Sequence, residues 1–225
     1  MGSKPSTAEP ASKLPYELEY PVDNGDSFVT YYINLDHRTD RRQEIETELE
    51  RMQITPFTRF PAIKHKKGAV GCTQSHVECL QLGIASGADH ILVFEDDFVF
   101  RTDMETVHQV LQDVIQIDYD VFLLGYCLNN KREPVKPTTH KKFNRIQNGS
   151  CTHGYMVSRR YAKKLLENFA MSVALLFKTG NECRYSLDQF WKMLQFNDKF
   201  LGYEKGPLGF QREGFSDIEN IVKHN

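Results

Sequence analysis

No stretch of this sequence stays apolar for the roughly 20 residues that a bilayer span requires, and its first residues lack the apolar core of a secretory signal. As it stands the chain is expected to be soluble and cytoplasmic, with a lumenal place open if it belongs to something longer. Cysteine is sparse and poorly arranged: Cys72, Cys79, Cys127, Cys151 and Cys183 are odd in number and form no close pair. Neither a disulfide framework nor a zinc site is expected, and the thiols are read as reduced. An excess of charge of one sign is also missing. Lys plus Arg number 28 against 30 for Asp plus Glu, so no electrostatic argument favours a nucleic-acid partner. A Gly-rich Walker-type loop is absent, which counts against a phosphoryl-transfer or phosphodiester enzyme.

What is present suits a globular enzyme. The 225 residues are 40% hydrophobic and 12% aromatic, enough for one sizeable core. Residues 1–26, rich in Ser, Pro, Ala and charge, read as a disordered tail, and 27–225 as one domain. Phe28 to Asn34 (FVTYYIN) has the β-branched and aromatic content of a buried strand. A helix should follow, capped by Thr39 or Asp40, with Ile45, Leu49 and Met52 on one face. After a Pro- and Gly-punctuated stretch from Pro56 to Gly71, Val77, Leu80 and Ile84 mark a second helix that stops at Gly87. Val107, Val110, Leu111 and Val114 give a third, and Val121 to Tyr126 another strand. Further on, Phe143 to Gln147 reads as an edge strand and Tyr155 to Ser158 as a short strand. Helices are expected over Arg159 to Phe169 and from Ser186 through Phe196, then a loop-like Gly202 to Phe215. This alternation of strand and helix predicts an α/β/α sandwich with a mostly parallel central sheet.

The segment ILVFEDDF, Ile91 to Phe98, carries the chemistry. An apolar run ends on Glu95, Asp96 and Asp97, and such a cluster at a buried strand end is costly unless something positive sits there. Ligands gather at the carboxyl ends of strands in α/β sheets. Side chains two apart on a strand share a face, so Glu95 and Asp97 could meet one ion while Asp96 points elsewhere. Hard oxygen ligands suit Mg2+ or Mn2+. An ordinary acidic turn is the plain alternative.

Several blocks together resemble glycosyltransferase family 25, which includes collagen β-galactosyltransferases and bacterial lipooligosaccharide galactosyltransferases. They are YYINLDHRTDRR (Tyr31 to Arg42), GCTQSH (Gly71 to His76), VFEDDFVF (Val93 to Phe100), GYMVSRRYAKKLL (Gly154 to Leu166), SLDQF (Ser186 to Phe190) and QREGFSDI (Gln211 to Ile218). The resemblance implies a GT-A-like nucleotide-sugar fold, Mn2+ (or Mg2+), and inverting transfer of a hexose from UDP-galactose or UDP-glucose. The acceptor would be a hydroxyl of a protein, such as a collagen-like hydroxylysine, or of a glycan. A catalytically inactive nucleotide-sugar-binding or scaffold protein of the same fold is the alternative.

On that reading Asp97 is the first metal ligand, and Glu95 supports the metal or reaches the ribose. Asp96 belongs to the same binding cluster. Gln211, Ser216 and Asp217 return to the metal or sugar, or else form a C-terminal cap on the sheet, with Asp217 the third candidate metal ligand. Asn34, Asp36, Arg38 and Arg41 lie where the first strand gives way to its helix, a place for a nucleotide. Arg41 could instead pair with Glu residues of its own helix. Ser75 and His76 are site candidates by resemblance, with helix capping the alternative for Ser75. Asp188 is the candidate base for the acceptor hydroxyl, or simply an acid in a helix's first turn. His153 could be an acceptor contact or a metal ligand, and Trp191 a sugar-stacking platform, but a structural role for the first and core packing for the second explain them as well.

Overall fold

β1 (Phe28–Asn34) is buried along its whole length, as expected of a strand covered on both faces. A computed structural model describes it together with the rest of residues 27–128, 136–216 and 221–223. The tail expected over 1–26 and the candidate ligand Asp217 lie outside the described residues. α1 (Thr39–Arg51) follows, and Ile45, Leu49 and its C-cap Met52 are fully buried. Neither expected residue caps it. Arg38 is the N-cap, without a side-chain cap bond, and Asp40 accepts from the Arg38 guanidinium instead.

After β2 (Thr58–Pro61), α2 (Gly68–Ser86) starts earlier than its apolar face suggested, so GCTQSH lies inside the helix. Ser75 is therefore no cap. The helix does stop at Gly87, whose φ of 77° is left-handed and costs glycine nothing. Ile84 is 37% exposed and off the buried face. β3 (His90–Glu95) ends at the first carboxylate, Asp96 and Asp97 form a turn, and β4 (Phe98–Phe100) leaves it. α3 (Met104–Ile115) is capped by Asp103, which accepts from Thr106 N at 2.8 Å.

Then come β5 (Val121–Leu123), β6 (Cys127–Leu128), β7 (Lys136–Pro137), β8 (Phe143–Arg145), β9 (Gly149–Ser150) and β10 (Gly154–Ser158). α4 (Arg159–Thr179) runs a further stretch beyond the expected end at Phe169. A short α5 (Glu182–Tyr185) precedes Ser186, and the single helix expected from Ser186 is broken into two short turns, α6 (Leu187–Phe190) and α7 (Lys192–Gln195). The expected C-terminal loop holds parts of β11 (Phe200–Tyr203), all of β12 (Gly209–Gln211), and the start of β13 (Gly214–Ser216), which pairs with β14 (Ile221–Lys223).

The main sheet has the order β2-β1-β3-β10-β5-β11-β8-β7. All its strands except β10 and β8 run the same way. β8, expected at an edge, is flanked by β7. Strand alternation divides the core between two faces. Tyr32, Phe94, Phe122 and Met156 pack on one side with Ile45, Leu49 and Val110, beneath α1 and α3. Tyr31, Val93 and Tyr155 pack on the other with Leu80, Leu165 and Phe169, beneath α2 and α4. Trp191 belongs to this second core, fully buried, with its indole N–H donating to Gly149 O at 3.0 Å. No helix among the described residues is long and apolar enough to cross a membrane.

Candidate donor-binding site

Because β2, β1 and β3 are parallel, the chain leaves all three at the same edge of the sheet, where α/β folds place their ligands. A cavity opens there. Leu35 and His37 line it from the β1–α1 connection, Arg41 from the first turn of α1, and Ile63, Lys64 and His65 from the β2–α2 connection. Cys72, Ser75 and His76 of α2 form a wall, Glu95, Asp96 and Asp97 the strand-end side, and Gln211 of β12 joins them.

The close fit of α2 against the β2–α2 connection depends on Gly71. A Cβ there would lie 2.2 Å from Ile63 O, well inside contact distance. One turn along, Ser75 donates to Gly71 O and accepts from Ile63 N, both at 2.8 Å. Ser75 thus holds the cavity wall in place.

Asp97 is the most unusual group. Its Oδ2 accepts from Arg41 Nη1 at 3.1 Å and from Gln211 Nε2 at 2.8 Å, while its buried Oδ1 has no hydrogen-bond partner among the described residues. Burial, then the negative charge of Glu95, raise its carboxyl to about 7 against the offset from Arg41. Asp96 is also raised, chiefly by burial. Its oxygens accept from Asn34 Nδ2 at 2.8 Å and Arg41 Nη1 at 3.1 Å. Glu95 moves the other way. Burial alone would raise it, but His76, His153 and the Thr152 hydroxyl outweigh that and leave it at about 2. Oε1 of Glu95 accepts from Thr152 Oγ1 at 2.9 Å and lies 3.4 Å from His76 Nε2.

The first-strand candidates divide. Arg41 faces the cavity and pairs with the two aspartates. Asn34 is buried and held internally: Nδ2 donates to Arg38 O and Asp96, and Oδ1 accepts from Arg59. It orients the site and does not line it. Asp36 is exposed and paired with Arg59 at 2.6 Å, and Arg38 grips Asp40; neither lines the cavity. Their neighbour His37 does.

His37 and Cys72 were not singled out from sequence. Cys72 stands four positions before His76, a helical spacing that puts both on one face, and this was the available signal. Asp188 sits in the first turn of α6 and accepts at Oδ2 from Cys151 N at 3.2 Å and Gln189 Nε2 at 3.0 Å. It does not line the cavity, but Cys151 is followed directly by Thr152, the residue that holds Glu95. His153 is buried against Phe98, ring centroids 5.6 Å apart, and is likewise absent from the lining.

The family model of glycosyltransferase family 25, described as an LPS biosynthesis protein, matches residues 66–177. The chain belongs to glycosyltransferase family 25. The matched span holds the α2 wall, the carboxylate turn, β10 and nearly all of α4, and leaves the first strand, Asp188 and the C-terminal block outside. No curated protein matches the chain in sequence. Among solved structures it is similar to a glycosyltransferase involved in glycosylation of the major capsid of PBCV-1. That likeness has a TM-score of 0.50 at 9% identity, over 86% of this chain and 96% of the other. GlyE of Streptococcus pneumoniae TIGR4 is similar at TM-score 0.45 and 11% identity, over 84% and 54%. A197 from STIV reaches 0.46 at 12%, over 87% and 92%. The order of the main sheet and the likeness at TM-score 0.50 make the architecture of this family 25 glycosyltransferase GT-A-like.

Proposed function

We propose that this glycosyltransferase moves a hexose from UDP-galactose or UDP-glucose, with inversion, to a hydroxyl of a protein or glycan acceptor. The observation that carries the reading is the unpartnered, buried Oδ1 of Asp97 at the carboxyl end of the parallel strands. An anion left bare inside a fold is expensive unless a cation completes it. The donor set fits the ion that the resemblance implies. Asp97 and Glu95 offer hard oxygens, which suit Mn2+ or Mg2+, and these two residues would hold it. Such an ion supplies neutralisation of the charge that builds on a departing diphosphate.

The rest falls to the protein's own side chains. Arg41, locked between Asp96 and Asp97, presents a fixed cationic fork to the cavity, the geometry that suits phosphate oxygens. Asn34 keeps Asp96, and through it Arg41, in position. Asp188 is the proposed base: both its hydrogen bonds fall on Oδ2, leaving Oδ1 outside them to take the acceptor proton. Asp217, outside the described residues, stays a proposed additional ligand. The test is a UDP-release assay with UDP-galactose, UDP-glucose and GDP-mannose, with and without Mn2+, on wild type and Asp97→Ala. Mn2+-stimulated release from a UDP-hexose, lost in the variant, supports transfer. Mn2+-dependent UDP binding without any turnover would favour the inactive binding protein.

A further inference from the structure

The thiol of Cys72, a ring nitrogen of His76 and a carboxylate oxygen of Glu95 converge, all within 4.8 Å of one another. Cys72 and His76 come from one face of α2 and Glu95 from the end of β3. His76 is fully buried, and its ring is already oriented: Nδ1 lies 3.1 Å from Tyr155 Oη, over which the ring stacks. Its other nitrogen meets no hydrogen-bond partner in good geometry among the described residues, and Glu95 Oε1 is 3.4 Å away. With the proton on Nδ1, a nitrogen lone pair and a carboxylate oxygen stand together without a donor between them. Two acceptors hold that separation comfortably when a cation lies between them.

We propose that Cys72, His76 and Glu95 form a site for a thiophilic divalent cation such as Zn2+, which shares the Glu95 carboxylate with the hard-ion position but does not use Asp97. A sulfur, an imidazole and a carboxylate are the donor set that tetrahedral zinc accepts, and the hard Mn2+ and Mg2+ ions do not favour thiolate. The supporting hydrogen bonds are of the kind that metal ligands carry: Tyr155 behind His76 and the Thr152 hydroxyl on Glu95. All three ligands line the cavity, so the fourth position opens to it, as in zinc sites that bind a further ligand. Sequence spacing hid the site because its third ligand comes from another element.

The site does not rest on the transfer reading, so its test uses no substrate. Apo protein, kept reduced, is titrated with Co2+, and the absorption spectrum is followed. Wild type should bind about one equivalent with a thiolate-to-cobalt charge-transfer band and the strong ligand-field bands of a tetrahedral ion, both erased by added Zn2+. Cys72→Ser should lose the charge-transfer band and weaken Zn2+ binding at least tenfold in competition with a chromogenic chelator, at unchanged circular dichroism. Asp97→Asn should retain both, which separates this site from the hard-ion position. Absence of the charge-transfer band in wild type, or its persistence in Cys72→Ser, overturns the proposal.

Discussion

Gln211 donates from Nε2 to Asp97 Oδ2 at 2.8 Å, tying β12 to the β3–β4 turn across 114 positions of sequence. Arg41 reaches the same oxygen at 3.1 Å. Both donors therefore fall on one side of the carboxylate and leave Oδ1 bare. A carboxylate kept only for its charge balance would spread its hydrogen bonds over both oxygens. The one-sided arrangement fixes the group and keeps an oxygen in reserve.

Asp97→Asn should reveal the cost of that arrangement in the metal-free protein. Burial, then Glu95, raise the Asp97 carboxyl from 3.8 to about 7. Between those pH values the folded state holds more protons than the unfolded one, so this group lowers stability as pH rises through the window. Asn has no such dependence. The unfolding free energy of the variant relative to wild type should therefore climb from pH 4 to pH 7 and then level, by an amount on the order of 1–4 kcal/mol, and the difference in melting temperature should follow the same course. Glu95, held at about 2, contributes stability that is lost only at lower pH. Adding Mn2+ at pH 8 should raise the melting temperature of wild type alone. A gap that stays constant with pH would show that Asp97 is not the strained group.

Gln211→Ala tests whether the link from β12 orients the metal ligand. β12 stays paired with β4 through its backbone, so the fold should survive. Losing a supporting hydrogen bond to a ligand costs about 10–100-fold in metal affinity, and calorimetry of UDP with Mn2+ should show a loss of that order. UDP binding without metal should change much less. Equal loss in both titrations would mean that Gln211 meets the nucleotide directly.

The strand ends and the carboxylate turn were legible in the sequence because local patterns encode them. Apolar content fixed β1 to the residue, and the abrupt change at Glu95 marked the end of β3. Side-chain direction at the β1–α1 connection was not legible. His37 and Arg41 reach the cavity while Asp36 and Arg38 do not, and this depends on Arg59 and Asp40 drawing the latter two away. Those partnerships cross elements or bend back on a turn, and no periodicity records them. The start of α2 was missed for a related reason. Its first turns bury only Ala69 and Val70 as apolar groups, beside the small or polar Gly71, Thr73 and Ser75, and this is too little for a helical stripe to be read. The break of the Ser186 helix into α6 and α7 likewise follows from packing, with Trp191 drawn into the core at the joint.

Gly71→Ala should disturb stability and binding together. The added methyl would meet Ile63 O at 2.2 Å, and overpacking of this kind costs about 1–3 kcal/mol. The β2–α2 connection must move away, and Ile63, Lys64 and His65 line the cavity. Gly87→Ala is the control. Its φ of 77° makes the substitution costly for stability too, but it lies at the far end of α2, so UDP affinity should hold. If both variants lose stability and neither loses affinity, the α2 contact serves the fold and not the site.

Asp188→Asn separates a base from a residue that merely finishes a helix start. In the structure its Oδ2 accepts from Cys151 N and Gln189 Nε2, and an amide oxygen can take both bonds, so the variant should fold with little change in melting temperature. What Asn cannot do is accept a proton from an acceptor hydroxyl. General-base contributions are typically 10²–10⁴-fold, and a loss of that size should appear in turnover while donor affinity stays near wild type, because the carboxylate lies outside the donor cavity. The bond to Cys151 makes a second effect measurable. If Asp188 instead acts by placing the segment that carries Thr152, then Thr152→Val, which frees Glu95 Oε1 of its hydroxyl partner, should reproduce the loss. A rate drop confined to Asp188→Asn identifies the base, whereas near-normal turnover in that variant removes Asp188 from the chemistry.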